Sequence, residues 1–364
     1  MTKIGLPKSD LDTPALWLDL EALENNISYL ARYFEKAEVE WRPHIKGIKV
    51  PALAHKLLNA GAIGITCAKL GEAEVMFAAG VKDILIANQI VTSQKIERLV
   101  RLCDQAEIKV AVDNADNVAA LGVAASTAGI ELGVLVEVNC GMDRAGVSPG
   151  EPTAGLAETI NETPGLRFRG IMSWEGHVLA IEDPAVKCRA IDEAMIKVTA
   201  SVTSCEKRGL PCEIISCGGG GTAEYTPFRG VATEIQAGGL VLADAQYRRW
   251  NGLTQPALYV RTTVTSRPTP KRIITDAGRK SLPFTNSAQE PDPIGLPPLE
   301  SLTASAEHGI LTLREEDPTI KVGDGIDFLV GYGDITVAMH DHMYGIRNGI
   351  IETIWPISGR GKFN

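Results

Sequence analysis

The sequence predicts a parallel (β/α)8 barrel followed by a smaller, mostly antiparallel β domain, and three observations carry that prediction. Short, continuously apolar segments alternate with amphipathic ones from about residue 18 to residue 250. Strands apolar on both faces belong to a parallel sheet covered on both sides. There are about eight such units, enough to favour closure into a TIM-like barrel over an open sheet. After Trp250 the texture changes to β pattern with turn residues and no long helical stretch. The expected organisation is a barrel over residues 18–250 and a β-rich domain over 251–364, the latter taking in residues 1–17.

The elements follow in order. Leu23, Ile27, Leu30 and Ala31 recur at helical spacing in Leu20–Phe34, and Val39–Lys46 reads as a strand. Pro51–Ala60 is a helix stopped by Gly61, Ile63–Cys67 a strand, and Gly71–Ala79 a helix stopped by Gly80. The alternation continues with a strand at Asp83–Ala87, a helix at Ser93–Ala106, a strand at Lys109–Val112 and a helix at Ala115–Ala128. Gly133–Val138, Arg167–Met172 and Glu213–Ser216 are apolar strands, and Pro184–Arg208 is a long helix between the last two. Beyond Trp250, Ala257–Ser266, Lys271–Ile274, Gly309–Leu313, Gly325–Val330 and Met343–Trp355 read as β, with a proline-bearing loop at Pro283–Pro298. Asn348-Gly349 marks a hairpin turn.

Composition excludes several functions. The chain has 364 residues, 45% hydrophobic and 22% charged, ordinary for a soluble globular protein of two domains. A net charge of -9 argues against a nucleic-acid partner, which calls for a basic face. No stretch is apolar enough to span a bilayer, and Met1–Asp12 lacks a signal-peptide pattern. Seven cysteines without CxxC spacing read as reduced thiols of a cytoplasmic protein, Cys140 and Cys217 as small buried filler.

Working residues of a parallel barrel project from the C-terminal ends of its strands, and four segments stand out there. In Trp41-Arg42-Pro43-His44-Ile45-Lys46, a partly dry strand-end lysine can lose its proton and form a Schiff base with an aldehyde cofactor. The competing reading is a surface charge, and Lys49 is the internal rival, expected to be solvated. Glycines flank Arg144 in Gly141-Met142-Asp143-Arg144-Ala145-Gly146, suiting a tight loop that aims a cation at a phenolate or carboxylate; a salt bridge within the loop is the alternative. Gly218-Gly219-Gly220-Gly221-Thr222 lets successive main-chain N–H groups converge on an anion, or else forms a flexible turn. It matches neither nucleotide-binding glycine motif. In Ser173-Trp174-Glu175-Gly176-His177 the imidazole can trade protons near neutral pH, or be structural. Amine, phosphate cradle, cation and base together are what a phosphorylated aldehyde cofactor requires.

The same segments carry a family resemblance. Arg42-Pro43-His44-Ile45-Lys46, the stretch from Gly61 to Val91, Gly141 to Val147, Gly218 to Thr222 and Thr233 to Gly238 resemble the D-threonine aldolases and the related D-serine and 3-hydroxy-D-aspartate dehydratases. So do Asp276-Ala277-Gly278, Glu307-His308-Gly309 and Trp355-Pro356-Ile357, so the resemblance covers nearly the whole chain. It implies a fold-type III, alanine-racemase-type barrel binding pyridoxal 5′-phosphate (PLP). It implies that Lys46 carries the cofactor, that Arg144 faces its ring oxygen, and that Gly219, Gly220, Gly221 and Thr222 hold its phosphate. Gln236 would lie near the pyridine nitrogen and His177 near the substrate, where it is the candidate base. A homodimer is implied as well.

Two departures stand out. The family's KTHK becomes Lys46-Gly47-Ile48-Lys49, which lacks a hydroxyl and an imidazole. The family's metal-binding His-x-Asp or His-x-Cys pair falls on Tyr332 and Asp334. A phenol with a pKa of about 10 is a poor ligand for a hard cation. His340 and His342 lie near in sequence; if the segment is a strand, even spacing puts them on one face with Asp334. The metal candidates are thus Asp334, His340 and His342, for Mg or Mn ahead of Zn.

The expected function is a PLP-dependent lyase in D-amino acid metabolism, an aldolase cleaving a β-hydroxy-D-amino acid to an aldehyde and glycine or a related amino acid. Alternatives are a PLP-dependent dehydratase or deaminase of such a substrate, an amino-acid racemase, or a non-enzymatic PLP carrier.

Overall fold

A computed structural model describes residues 3–284, 286 and 289–364; within the expected loop at 283–298, residues 285, 287 and 288 lie outside the described ones. The chain forms two compact units. One consists of Leu30–Lys46, Leu53–Gly238 and Lys362–Asn364; the other holds the residues up to Tyr29, Gly47–Ala52 and Gly239–Gly361.

In chain order, β1 (Ala15–Asp19) and α1 (Leu20–Lys36) come first. The alternation then runs β2 (Glu40–Trp41), α2 (Pro51–Asn59), β3 (Ile65–Cys67), α3 (Leu70–Ala78), β4 (Asp83–Ile86), α4 (Ser93–Cys103), β5 (Glu107–Val112) and α5 (Ala115–Ala128). It finishes with β6 (Leu132–Val138), α6 (Glu151–Glu162), β7 (Leu166–Ser173), α7 (Pro184–Lys207), β8 (Ile214–Cys217) and β9 (Glu234–Ile235).

The strands pair in the order β2-β9-β8-β7-β6-β5-β4-β3, every ladder parallel. His44, just beyond β2, bridges Thr66 of β3, and the Ile45 N–H donates to the Thr66 carbonyl at 2.8 Å. The eight strands therefore close into a barrel. Leu85, Ala111, Leu135, Met172 and Ile214, one from each of β4 to β8, pack as a single buried cluster. This is the side-chain filling expected of a small barrel.

Local sequence explains the helix ends. Asn114 caps α5 by accepting the Asp116 and Asn117 N–H groups, and Gly129 ends it in the left-handed region. Asp183 caps α7, with Pro184 as its first helical residue. The helix α6 was not expected from the sequence. Its buried face is Thr153, Ala154, Leu156, Ala157 and Ile160.

In the second unit come α8 (Ala245–Trp250), β10 (Leu258–Thr269), β11 (Arg272–Thr275), β12 (Asp292–Pro293), β13 (Leu299–Ala304), β14 (Gly309–Leu313) and β15 (Gly325–Leu329). After α9 (Gly333–Thr336), β16 (His342–Arg347) and β17 (Ile350–Pro356) complete it. The sheet runs β13-β14-β11-β10-β1-β16-β17, with β15 pairing β10 and β12. All of its ladders are antiparallel except β1 with β16. Arg347 pairs with Ile350 across Asn348 and Gly349, whose φ angles are 50° and 76°, as a two-residue hairpin loop demands.

One expectation is corrected here. Residues 334–341 are not a strand: Gly333–Thr336 is a helical turn continued by a 3-10 turn at Val337–Met339, and β16 begins only at His342. The alternation that would set Asp334, His340 and His342 on one face is therefore absent.

Candidate active site

The C-terminal ends of β2, β9 and β8 lie side by side. Trp41 pairs with Ile235, and Ile235 with Cys217. Beyond the strands the His44 N–H donates to the Gln236 carbonyl and the Gln236 N–H to the Cys217 carbonyl, both at 3.2 Å. The fit is tight: a Cβ at Gly238 would lie 1.9 Å from the His44 carbonyl oxygen. Lys46 follows in the next turn, half-buried, its N–H 3.4 Å from His44 Nδ1. The chain thus delivers Lys46 to the barrel end that also carries Gln236 and the glycine turn.

Two neighbours in this motif behave differently. Lys49, expected in solvent, is 4% exposed with φ of 56°; burial removes it as a solvated surface charge. Arg42 is also buried and donates to Glu234 Oε2 at 2.8 Å and to Asp83. Asp83 in turn accepts Lys109 Nζ at 3.0 Å. Arg42 thus ties strands together.

The glycine turn is entirely buried from Gly218 to Thr222. Gly218 has φ of 68°, and a Cβ at Gly219 would meet the Trp174 ring at 2.6 Å. Glycine is required by conformation at the first and by space at the second. Beneath the turn sits Glu175, fully buried. It accepts the Thr222 hydroxyl at 2.7 Å, the Thr226 hydroxyl at 2.6 Å and the Gly218 N–H at 3.3 Å. The Thr222 oxygen also accepts the Gly219 N–H at 3.2 Å. The Thr222 proton is directed at Glu175, so main-chain N–H groups are what the turn offers an anion.

Arg144 lies in the loop after β6, half exposed, with Nη2 3.7 Å from Glu137 Oε1. Asn139 Oδ1 accepts the Gly141 and Asp143 N–H groups, and the loop closes where the Asn139 N–H donates to the Val147 carbonyl at 2.9 Å. Burial raises the pKa of Glu137, which also accepts a hydrogen bond from Gln89. His177, exposed in the 3-10 turn after β7, lies over this loop: a Cβ at Gly141 would sit 2.9 Å from His177 Nε2. Lys197 Nζ donates to the Cys140 carbonyl at 3.1 Å. Gln236 is buried and donates to Ser216 Oγ at 2.9 Å. Burial, with the Glu175 carboxylate nearby, pushes the Cys140 thiol up to about 12.

An amine, a cation, a buried main-chain anion turn and an exposed imidazole therefore share one barrel end, and this set fits a phosphorylated aldehyde such as PLP. Sequence reasoning missed Glu175, Glu137 and the wedging role of Trp174. Both Trp174 and Glu175 stood in the motif quoted for His177, but nothing in a sequence says that a carboxylate is buried.

The metal candidates lie in the second unit. The Tyr332 phenol donates to Asp334 Oδ2 at 2.9 Å, and a Cβ at Gly47 would sit 2.3 Å from Asp334 Oδ1. Burial and the Asp334 carboxylate hold the phenol's pKa above its usual value. His340 Nε2 faces the Ser281 carbonyl at 2.7 Å, so it carries the proton and donates. His342 is exposed at the start of β16. Among the described residues no three His, Cys, Asp or Glu side chains gather as a metal shell. Asp334, His340 and His342 do not fit a divalent ion, because they do not converge.

Comparison with known proteins agrees with this architecture. Residues 18–244 match the family described as alanine racemase, N-terminal domain, and residues 257–346 a second domain family named for serine dehydratase. The chain is 35% identical to a D-threonine aldolase of Arthrobacter sp, covering 98% of this chain and 95% of that one. It is 34% identical to a 3-hydroxy-D-aspartate aldolase of Paracoccus denitrificans (strain Pd 1222), over 98% and 94%. The crystal structure of D-threonine aldolase from Filomicrobium marinum superimposes with a TM-score of 0.96 at 34% identity, covering 100% of both chains. The chain belongs to the alanine-racemase-type family, in the group that contains the D-threonine and 3-hydroxy-D-aspartate aldolases.

Proposed function

We propose that this chain is a PLP-dependent lyase that cleaves a β-hydroxy-D-amino acid to an aldehyde and glycine or a related amino acid. The observation that carries the reading is the lateral hydrogen bonding from His44 through Gln236 to Cys217, which sets the Lys46 segment beside the glycine turn at one barrel end. When bound, PLP withdraws electrons from the substrate's α-carbon, so that a bond to that carbon can break.

The chain's residues have separate tasks. Lys46 holds the cofactor through Nζ. Gly220 and Gly221 would give main-chain N–H groups to its phosphate, while the Gly219 N–H donates to the Thr222 oxygen and the Thr222 hydroxyl to Glu175, fixing the turn from below. Arg144 would donate to the ring oxygen, and Gln236 would lie by the pyridine nitrogen. His177, exposed on the loop after β7, takes the β-hydroxyl proton on an imidazole nitrogen as the α-carbon to β-carbon bond opens.

A cytoplasmic setting is supported by seven cysteines that are all free; among the described residues no helix is long and apolar enough to cross a membrane. A homodimer is supported by the resemblance and is read out by light scattering. The test of function is a screen of β-hydroxy-D-amino acids for aldehyde release. Aldehyde without ammonia is the expected result, whereas ammonia and a keto acid would replace the aldolase by a dehydratase. Lys46→Ala is expected to abolish the absorbance of bound PLP; an unchanged spectrum would remove Lys46 from its role.

A further inference from the structure

We propose that Tyr332 and Asp334 form a hydrogen-bonded pair where a divalent-ion site would otherwise stand, so that the chain binds no divalent ion there and its reaction needs none. This rests on the lyase reading above for its second half only.

The geometry engages one oxygen of the Asp334 carboxylate and packs the other against Gly47. Oδ2 accepts the Tyr332 phenol at 2.9 Å. Oδ1 lies over Gly47, the residue after Lys46, in space that any Cβ would occupy: such an atom would approach it to 2.3 Å. Glycine at 47 and tyrosine at 332 are therefore matched to one another through Asp334. An alanine at 47 would push the carboxylate away, and a histidine at 332 would remove the phenol that it accepts.

The pair is also held in place. Thr336 Oγ1 donates to the Tyr332 carbonyl at 3.0 Å, and the Gly333 N–H donates to the buried Asp244 carboxylate at 2.6 Å. The rings of Tyr247 and Trp250 flank Tyr332 with centroids 6.4 and 6.3 Å away. Asp244 is itself tied to the main chain, its other oxygen accepting the Tyr247 N–H at 2.9 Å. Nor does the neighbouring sequence compensate, because His340 donates to the Ser281 carbonyl and His342 faces solvent. A hard divalent ion needs several oxygen or imidazole ligands. What stands here is a carboxylate with a phenol donating to it at 2.9 Å.

The test uses PLP-loaded enzyme dialysed against EDTA and titrated with manganese(II) chloride by calorimetry, alongside aldehyde release with and without chelator. Wild type is expected to show no binding isotherm and an aldehyde-release rate unchanged by EDTA. Tyr332→His, which supplies an imidazole, is expected to bind manganese at least about tenfold more tightly than wild type. Manganese binding by wild type that disappears in Asp334→Asn would overturn the proposal, as would an EDTA-abolished rate restored by manganese. If no β-hydroxy-D-amino acid yields aldehyde with or without manganese, the lyase reading fails, and the titration alone still decides the pair.

Discussion

A carboxylate buried beneath the glycine turn is the residue-level feature with the largest expected consequence. Glu175 holds Gly218, Thr222 and Thr226 at once, and hydrogen bonds to a charged group contribute roughly 1.5–3 kcal/mol each. Glu175→Ala is therefore expected to weaken PLP binding by about tenfold to a hundredfold, measured by absorbance titration. An unchanged affinity would show that the turn holds its shape alone. The thiols make a second test. With its pKa pushed up to about 12, Cys140 stays protonated at pH 8, and alkylation needs the thiolate. Iodoacetamide at pH 8 is expected to spare Cys140 in the native enzyme, and rapid labelling there would contradict the assignment. The sign for stability follows: a thiol pKa raised above about 8.5 stabilises the fold fully below that pH and progressively less as pH climbs toward the folded value. Lys46, Arg144 and His177 stand out in the sequence because of their residue types and glycine neighbours, and all three follow strands of the barrel. Glu175 and the buried Lys49 were not, since burial is decided by partners far away in the chain.

At the scale of elements, the Arg42 network shows how one motif serves two ends. Its arginine joins Glu234 of β9 to Asp83 of β4, with Lys109 of β5 on the same aspartate. Only 3% of its side chain is exposed. Removing one partner of a buried pair costs about 3–5 kcal/mol. Arg42→Ala is expected to lose stability of that order in urea denaturation; a loss under about 1 kcal/mol would make the network a surface-like one. The elements whose expected bounds match, α5 and β14 among them, are delimited by local signals, α5 by the capping Asn114 and the terminating Gly129. The edge strand β13 escaped because its residues are half-buried or exposed. The condition that would set Asp334, His340 and His342 on one face fails because the backbone turns helically over residues 333–339.

For the whole molecule, alternation alone made the barrel visible, but closure depended on something periodicity does not encode. That something is the His44 bridge to Thr66, in a segment whose formal strand, β2, is two residues long. The second unit was legible as β texture, yet its parallel β1–β16 ladder was not, because the partners lie at opposite ends of the chain. A net charge of -9 leaves the cationic groups of the barrel end as local features on an acidic molecule. Anionic cofactor binding is accordingly expected to weaken as salt rises, because screening acts on exposed charges such as Arg144.

The most direct measurement is chemical. The protein is incubated with PLP, reduced with borohydride, digested and mapped by mass spectrometry. One pyridoxyl group is expected, on the peptide carrying Lys46, as the cofactor-holding role of that lysine requires. A label on Lys49 instead, or no incorporation at all, would contradict it.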